Sequence, residues 1–150
     1  HTRSLPLYEA CALEFPQSPE ARTCRWKVAL QTYLLNRPEA DQKLLGILRE
    51  DPAGEHASAA LYFLGRHAEA HNDRGAAATY FRQAIASFPN HFYAELSRDR
   101  LADAALAAMP PHALTAAALQ KFELPKGGLQ LSFEPSAATR RRLARAELLA

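Results

Sequence analysis

Signals that end one helix and start the next recur along this chain about every 17 residues, half the period of a two-helix repeat. Ser18 followed by Pro19 is one such start, because a capping side chain precedes proline at the first helical position. Asn72-Asp73 is another turn with a capping residue. The pattern predicts helices over residues 4–15, 18–35, 38–50, 55–71, 73–88, 90–108 and 112–122, with Ser4 and Asn90 as further caps.

The residue composition favours the same fold class. The 150 residues include only 6 Gly against 10 Pro, and alanine fills about one position in five, roughly twice its ordinary usage. Few Gly, abundant Ala and regularly spaced Pro are typical of close-packed helices joined by short turns. We therefore predict an all-α fold of antiparallel helix hairpins and expect neither a β-sandwich nor a phosphate-binding loop.

The charge balance excludes several classes of partner. Lys plus Arg is 18 and Asp plus Glu is 16, so the net charge is +2. This near-balance gives no electrostatic case for nucleic acid. No run approaches the roughly 18 apolar residues of a membrane span, so we expect none. His1-Thr2-Arg3-Ser4 is not the start of a signal peptide, and we interpret the chain as part of a longer protein.

Two helices in roughly 34 residues is the period of the tetratricopeptide repeat. The best match is 58–91, where six of that repeat's usual positions agree: Leu64, Gly65, Ala77, Phe81, Ala84 and Pro89. Gly65 and Ala77 would let the two helices approach closely, and Phe81 would fill the groove against the next helix. The predicted architecture is a right-handed α-superhelix of stacked hairpins over residues 1–122.

A second, degenerate copy precedes the first. Trp26 and Tyr33, seven residues apart, fit its first helix, and the second helix matches at Ala40, Leu44, Ile47 and Pro52. For this alignment the turn between the two helices must be about two residues shorter than in 58–91. The alternative is that any amphipathic hairpin produces some of these matches.

The character of the sequence changes after residue 122. The segment 123–135 holds two Pro and the only Gly-Gly pair, and it alternates apolar and polar residues at Leu129, Leu131 and Phe133. This pattern predicts an extended linker that lies on the helices through those three side chains. Ser136 then caps a further helix over residues 136–150.

Three stretches resemble a narrower group of proteins. They are Ala60-Leu61-Tyr62-Phe63-Leu64-Gly65-Arg66, the run from Ala76 to Ile85 with Tyr80-Phe81-Arg82, and Phe92-Tyr93-Ala94-Glu95-Leu96-Ser97-Arg98-Asp99-Arg100-Leu101. Together they resemble the superhelical region of the soluble lytic murein transglycosylases. Phe133-Glu134-Pro135 with Leu143-Ala144-Arg145-Ala146 also fits the segment after that family's linker.

The resemblance implies a periplasmic scaffold and not an enzyme. In that family the superhelix carries a lysozyme-like domain, whose Glu-Ser pair and Gly-Ala-x-Gly-Leu-Met-Gln stretch are both missing here; the single Met is Met109. The implied chain stops before the catalytic domain and contacts the peptidoglycan glycan strand or that domain. We assign no catalytic residue, metal or cofactor.

Two residue pairs are candidates for a metal site and for a disulfide bond. His67 and His71 lie four apart on one helix, a spacing that suits a shared metal, but exposed histidines on a helix face are the favoured interpretation. Cys11 and Cys24 lie nearly equidistant from the turn at residues 16–19, so their thiols could face each other. A periplasmic location would permit a disulfide, and the alternative is two small buried packing residues.

Three further groups of residues could form contacts on the surface or between helices. The last predicted helix carries a basic face of Arg140, Arg141, Arg142 and Arg145, which could meet an anionic polymer or simply be solvated. We interpret Arg98, Asp99 and Arg100 as an inter-helix charge network. The aromatic residues in the repeat would form core, or stack on sugar rings on a concave face: Tyr62, Phe63, Tyr80, Phe81, Phe88, Phe92 and Tyr93.

The sequence thus favours a non-catalytic superhelical segment of a lytic transglycosylase. The alternative is a generic tetratricopeptide adaptor that holds a peptide of a partner protein in its groove. An independent enzyme is not expected, because no catalytic constellation is visible.

Overall fold

The computed structural model describes residues 4–14 and 16–127, and it confirms the all-helical class for this part of the chain. The described residues form eight helices and no strand. The helices are α1 Leu5–Glu14, α2 Pro19–Leu34, α3 Ala40–Glu50, α4 Ala57–Ala70, α5 Arg74–Ser87, α6 Phe92–Leu101, α7 Ala104–Ala107 and α8 Ala113–Leu119.

Two of the predicted capping residues are confirmed. The Ser18 hydroxyl accepts a hydrogen bond from the Ala21 amide at 3.0 Å, with Pro19 at the first helical position of α2. The Asp73 carboxylate accepts from the Ala76 amide at 2.9 Å and starts α5. Each cap satisfies an amide that the first helical turn leaves without a partner.

The predicted sixth helix over residues 90–108 is wrong, because the structure divides it in two. α6 ends at Leu101, and Asp103 then caps α7 by accepting from the Ala105 amide at 2.9 Å. A capping carboxylate competes with continuation of the helix through its own position. Asn90 is not a cap either, since His91 occupies the N-cap position of α6 without a side-chain hydrogen bond.

Left-handed asparagines end α2 and α4. Asn36 has φ 51° and Asn72 has φ 62°. After α4, the Asn72 amide donates to Glu69 O and the Asp73 amide donates to Ala68 O, at 3.0 and 2.9 Å. The two amides after α2 donate to the corresponding carbonyls. This is the Schellman motif, with Asn in the left-handed position that glycine usually takes.

The helices pack in the order of the chain. From α1 to α6 each helix contacts the one that follows, and α4 also contacts α6. α5 contacts α7 and α8. The larger core cluster is centred on fully buried Leu44, Leu48, Leu61 and Leu64. A second cluster joins Tyr62, Phe81 and Leu106, so it connects α4, α5 and α7.

The repeat positions of 58–91 lie at the interface between α4 and α5. Leu64, Ala77, Phe81 and Ala84 are all buried. The Phe81 ring lies over Gly65, where a Cβ atom would come within 2.5 Å of Phe81 Cε1. Phe81 therefore packs against the preceding helix, as well as sharing a cluster with Leu106 further along the chain.

The shorter turn predicted for the degenerate copy is wrong. Residues 35–39 separate α2 from α3, whereas residues 71–73 separate α4 from α5. The distance from Trp26 to Ala40 is nevertheless two residues shorter than that from Leu61 to Ala77, because of positions within the helices. Ala40 is the first residue of α3 whereas Ala77 is the fourth of α5, and Trp26 lies one residue nearer to the end of its helix than Leu61 does. Ala40, Leu44 and Ile47 are nevertheless buried, as the alignment requires.

Residues 123–127 are irregular, and Leu124 packs together with Phe122 against the larger core cluster. The rest of the predicted linker and the predicted helix over residues 136–150 lie outside the described residues, as do Leu129, Leu131 and Phe133. Among the helices that the structure describes, none is long and apolar enough to cross a membrane.

Candidate functional site

Aromatic side chains from alternate helices meet beside the larger core cluster. Phe63 of α4 is the centre: its ring centroid lies 5.0 Å from Tyr33, 5.4 Å from Tyr62, 5.7 Å from Tyr93 and 6.1 Å from Trp26. The set draws only on α2, α4 and α6, the first helices of successive pairs. Together with Phe92, these residues form what we call the aromatic surface: Trp26, Tyr33, Tyr62, Phe63, Phe92 and Tyr93.

The aromatic surface has a buried and an accessible side. Trp26 and Tyr62 are buried, while Tyr33, Phe63 and Tyr93 are half-buried. Phe92 is 68% exposed and its ring meets that of Tyr93 edge-on at 5.4 Å. A large aromatic ring left this exposed beside other accessible rings offers a stacking platform for a ligand.

Three of the aromatics grouped from sequence do not join this surface. Phe81 and Phe88 are buried in the core, and Tyr80 of α5 is half-buried. Burial raises the pKa of Tyr80 to about 12, with the charges of Asp41 and Asp73 acting in the same direction. Conversely, Trp26 and Tyr33 were assigned only to repeat positions. Their location on α2 was the signal that could have added them.

His56 extends the aromatic surface at its α2 end. Its ring stacks on Trp26 with centroids 5.0 Å apart and planes 12° apart. Burial lowers the pKa of His56 from its usual value, although Glu55 opposes that shift. The imidazole is therefore held neutral against the indole near neutral pH.

The predicted charge network forms around Glu69, with only one of its three predicted members. Arg100 Nη2 lies 2.7 Å from Glu69 Oε1, and Arg100 Nε lies 3.2 Å from Oε2. Arg66 Nε is 3.1 Å from the same Oε2. Arg98 instead pairs within α6 with Glu95 and donates to the Pro89 carbonyl. Two guanidinium groups from α4 and α6 thus share one carboxylate.

Tyr62 connects this network to the aromatic surface. Arg66 Nη1 donates to the Tyr62 hydroxyl at 3.2 Å, and this bond is the main reason that the pKa of Arg66 is raised. Tyr62 in turn contacts Tyr93 with ring centroids 5.6 Å apart. Burial raises the pKa of Tyr33 nearby, which keeps its hydroxyl neutral. The charged groups are therefore connected to the aromatic surface through the Tyr62 hydroxyl.

The expectation of exposed histidines is wrong for His67. Its side chain is buried, and Nδ1 lies 2.8 Å from Asp41 Oδ1 of α3. His71 is exposed, and its Nδ1 donates to the His67 carbonyl at 2.8 Å. The two rings lie 4.2 Å apart. Within the described ranges, no group of three or more His, Cys, Asp or Glu side chains could hold a metal ion.

Cys11 and Cys24 are joined by a disulfide that links α1 to α2, with Cα atoms 6.1 Å apart. Cys24 is buried and Cys11 is half-buried. The predicted basic face of Arg140, Arg141, Arg142 and Arg145 lies outside the described residues.

Comparisons of the chain with protein families, with curated proteins and with solved structures find no match. The function must therefore be argued from the residues and their arrangement.

Proposed function

We propose that this chain is a non-catalytic, superhelical scaffold segment of a periplasmic peptidoglycan lytic transglycosylase. Its role is to position the glycan strand, or the parent protein's own catalytic domain. The accessible rings of the aromatic surface, above all Phe92, would provide the contact by stacking on the apolar faces of sugar residues. The charged groups beside it would orient the polar substituents.

The observation that carries the proposal is the alignment of aromatics along α2, α4 and α6. An elongated ligand needs contacts repeated along its length, and stacked hairpins supply them by presenting equivalent helices in a row. Phe92 and Tyr93, two residues of the resemblance to the transglycosylases, belong to this surface. Arg66 and Arg100, which also belong to that resemblance, flank it through Glu69.

The superhelical arrangement is part of the proposal. Consecutive contacts from α1 to α6, together with contact between α4 and α6, support a linear stack of hairpins. Burial of Leu64, Ala77 and Ala84 at the spacing of the tetratricopeptide repeat supports the same arrangement. A small-angle scattering curve of the purified chain tests it, since a stacked superhelix is more elongated than a globular bundle of equal mass.

Co-sedimentation with purified, protein-free murein sacculi tests the function. We expect the chain to sediment with the sacculi and to release no soluble fragments. Phe92→Ala should weaken binding by about fivefold or more, because a stacked ring contributes of order 1 kcal/mol. Leu114→Ala is the matched control, since Leu114 is 78% exposed on α8 and lies outside the aromatic surface. Failure to sediment, or release of fragments, would contradict the proposal.

The alternative is a repeat adaptor that binds a peptide from a partner protein. The exposed ring of Phe92 beside half-buried Tyr93 suits an apolar peptide side chain as well as a sugar. Glycan strands released from sacculi by amidase distinguish the two in solution: binding of the free strands supports glycan recognition, and no binding favours a peptide.

A further inference from the structure

A cavity of about 320 Å³ lies where the C-terminal end of α4 meets α5, α6 and the start of α7. Five charged residues line it: Arg66, Glu69, Arg74, Arg100 and Asp103. It is separate from the rings of the aromatic surface, but Arg66 reaches Tyr62 of that surface through a 3.2 Å hydrogen bond.

The charges in this cavity do not balance. Three guanidinium groups face two carboxylates, which leaves an excess of one positive charge. Both oxygens of Glu69 are already engaged by Arg66 and Arg100. The Asp103 carboxylate accepts from the Ala105 amide as the cap of α7. Arg74 is exposed and forms no ion pair with any residue in the ranges 4–14 and 16–127.

The two arginine side chains are more exposed than the carboxylate that they share. The side chains of Arg66 and Arg100 are 40% and 43% exposed, whereas Glu69 is only 18% exposed. Within the described structure, Nη2 of Arg66 and Nη1 of Arg100 make no hydrogen bond. Glu69 thus engages both guanidinium groups, and each arginine stays partly exposed with one terminal nitrogen that forms no hydrogen bond to the described residues.

The helix terminus at this cavity does not repel an anion strongly. The last carbonyls of α4 would carry partial negative charge if they were unpaired. Here Ala68 O and Glu69 O accept from the Asp73 and Asn72 amides of the Schellman motif. These two carbonyl oxygens are therefore already paired, which reduces the repulsion of an anion at this end of α4.

We propose that this cavity binds the carboxylate group of a peptide. A carboxylate is planar, so two accessible guanidinium edges can each donate to it in the geometry that arginine prefers. The single negative charge of a carboxylate neutralises the single excess positive charge of the lining. A phosphate dianion would leave one negative charge without compensation. At about 320 Å³ the cavity has room for the last residues of a peptide as well as the carboxylate, and the rest of the peptide would extend past Tyr62 toward the aromatic surface.

Calorimetric titration of the full 150-residue chain with N-acetyl-alanyl-alanine tests this inference, with the C-terminal amide of the same dipeptide as control. We expect saturable binding of the acid and at least about tenfold weaker binding of the amide, because charge-assisted hydrogen bonds are lost. Equal binding of acid and amide would overturn the proposal, as would no binding of either.

Arginine variants locate the site. Arg100→Gln removes one of the two donating guanidinium groups and should weaken binding of the acid by about tenfold, whereas Arg74→Gln removes the excess positive charge and should weaken it by about threefold or more. Arg98→Gln removes the same charge from α6 outside the cavity and should leave the affinity unchanged. Arg74 is exposed at the start of α5, so its variant tests the site even if Arg100→Gln disturbs the fold. Unchanged affinity in Arg74→Gln would refute this location.

The same titration identifies the source of the carboxylate. Soluble muropeptides that bind more tightly than the plain dipeptide would assign the site to murein peptides, and the reverse order would assign it to the C-terminus of a protein. This inference does not depend on the proposed function. Loss of sacculus binding in Phe92→Ala with retained dipeptide binding separates the two surfaces.

Discussion

Gly65 shows how one side chain decides the packing of a helix pair. Its lack of a Cβ atom allows the Phe81 ring to lie directly on the backbone of α4. Because Phe81 is fully buried, the ring has no free space into which it can withdraw. The Leu-Gly pair of the repeat is therefore a packing requirement and not a requirement for unusual backbone angles.

Gly65→Ala should destabilise the protein by about 1–3 kcal/mol. The added methyl group would clash with the Phe81 ring, and the cost of this overpacking exceeds the gain in helix propensity from Gly to Ala. Urea denaturation gives the free energy of unfolding of both forms. Gly46→Ala is the matched control within α3, where nothing lies within 4 Å of the added Cβ atom. That substitution should stabilise by about 0.5–1 kcal/mol, and a loss of stability in both variants would disprove the packing explanation.

His56 makes the stability of the fold depend on pH. Because its folded pKa is below the unfolded value near 6.5, the unfolded chain takes up the proton first. The contribution of His56 to stability is therefore complete above pH 6.5 and declines as the pH falls from there through the folded pKa.

Fluorescence of Trp26, the single tryptophan, reports this protonation directly. We expect its emission to change with a midpoint below pH 6.5, because an imidazolium quenches the indole on which it stacks. His56→Phe should abolish the transition, while His71→Gln should retain it. A midpoint above 6.5 would show that burial does not govern the imidazole.

At the scale of elements, the turns are specified by residues that differ in their physical role. Asp73 starts α5 by capping its first amides, and Asn72 ends α4 by adopting the left-handed conformation. Both roles are local, which is why Asn72-Asp73 could be recognised as a turn from sequence. The division between α6 and α7 likewise depends on a local cap, Asp103. It was not predicted, because the alanine-rich residues on both sides favour one continuous helix.

Helix α1 is held to the rest of the fold mainly by α2. Its main packing partner is α2, and Leu7 and Leu13 on α1 are 70% and 79% exposed. The disulfide between Cys11 and Cys24 is a covalent tether in addition to this limited contact.

We expect thiol titration of the unreduced, denatured protein to find no free thiol. Reduction should cost about 2–3 kcal/mol of unfolding free energy, because the bond closes a loop with a sequence separation of 13. Amide exchange should then accelerate more in α1, which loses its covalent tether, than in α5. The Cys11→Ser/Cys24→Ser variant should resemble the reduced protein and be insensitive to reductant. Two free thiols in the unreduced protein would contradict the bond.

At the scale of the whole molecule, the candidate site belongs to no single helix. The aromatic surface needs α2, α4 and α6 side by side. The cavity lined by Arg66, Arg74 and Arg100 needs α4, α5, α6 and the start of α7. Both proposals therefore depend on the stacking of hairpins, and a variant that opens the stack should weaken both.

Much of the element structure could be predicted from the sequence. Proline positions, Ser18 and Asp73 mark helix boundaries through local sterics and capping, and the burial of Leu64, Ala77 and Ala84 follows their spacing. The candidate site was only partly predictable. Phe92 and Tyr93 were recognised as possible contacts, but Trp26 and Tyr33 were not joined to them because 59 or more positions separate them in the chain.

The sequence by itself determined the helical class, most helix ends and the small residues at close contacts, because these depend on neighbours within one or two turns. Only the tertiary structure decided that His67 is buried against Asp41, that Glu69 serves two arginines, and that Phe63 gathers rings from three helices. Such contacts join distant positions, and their energies depend on distance and burial that no local pattern records.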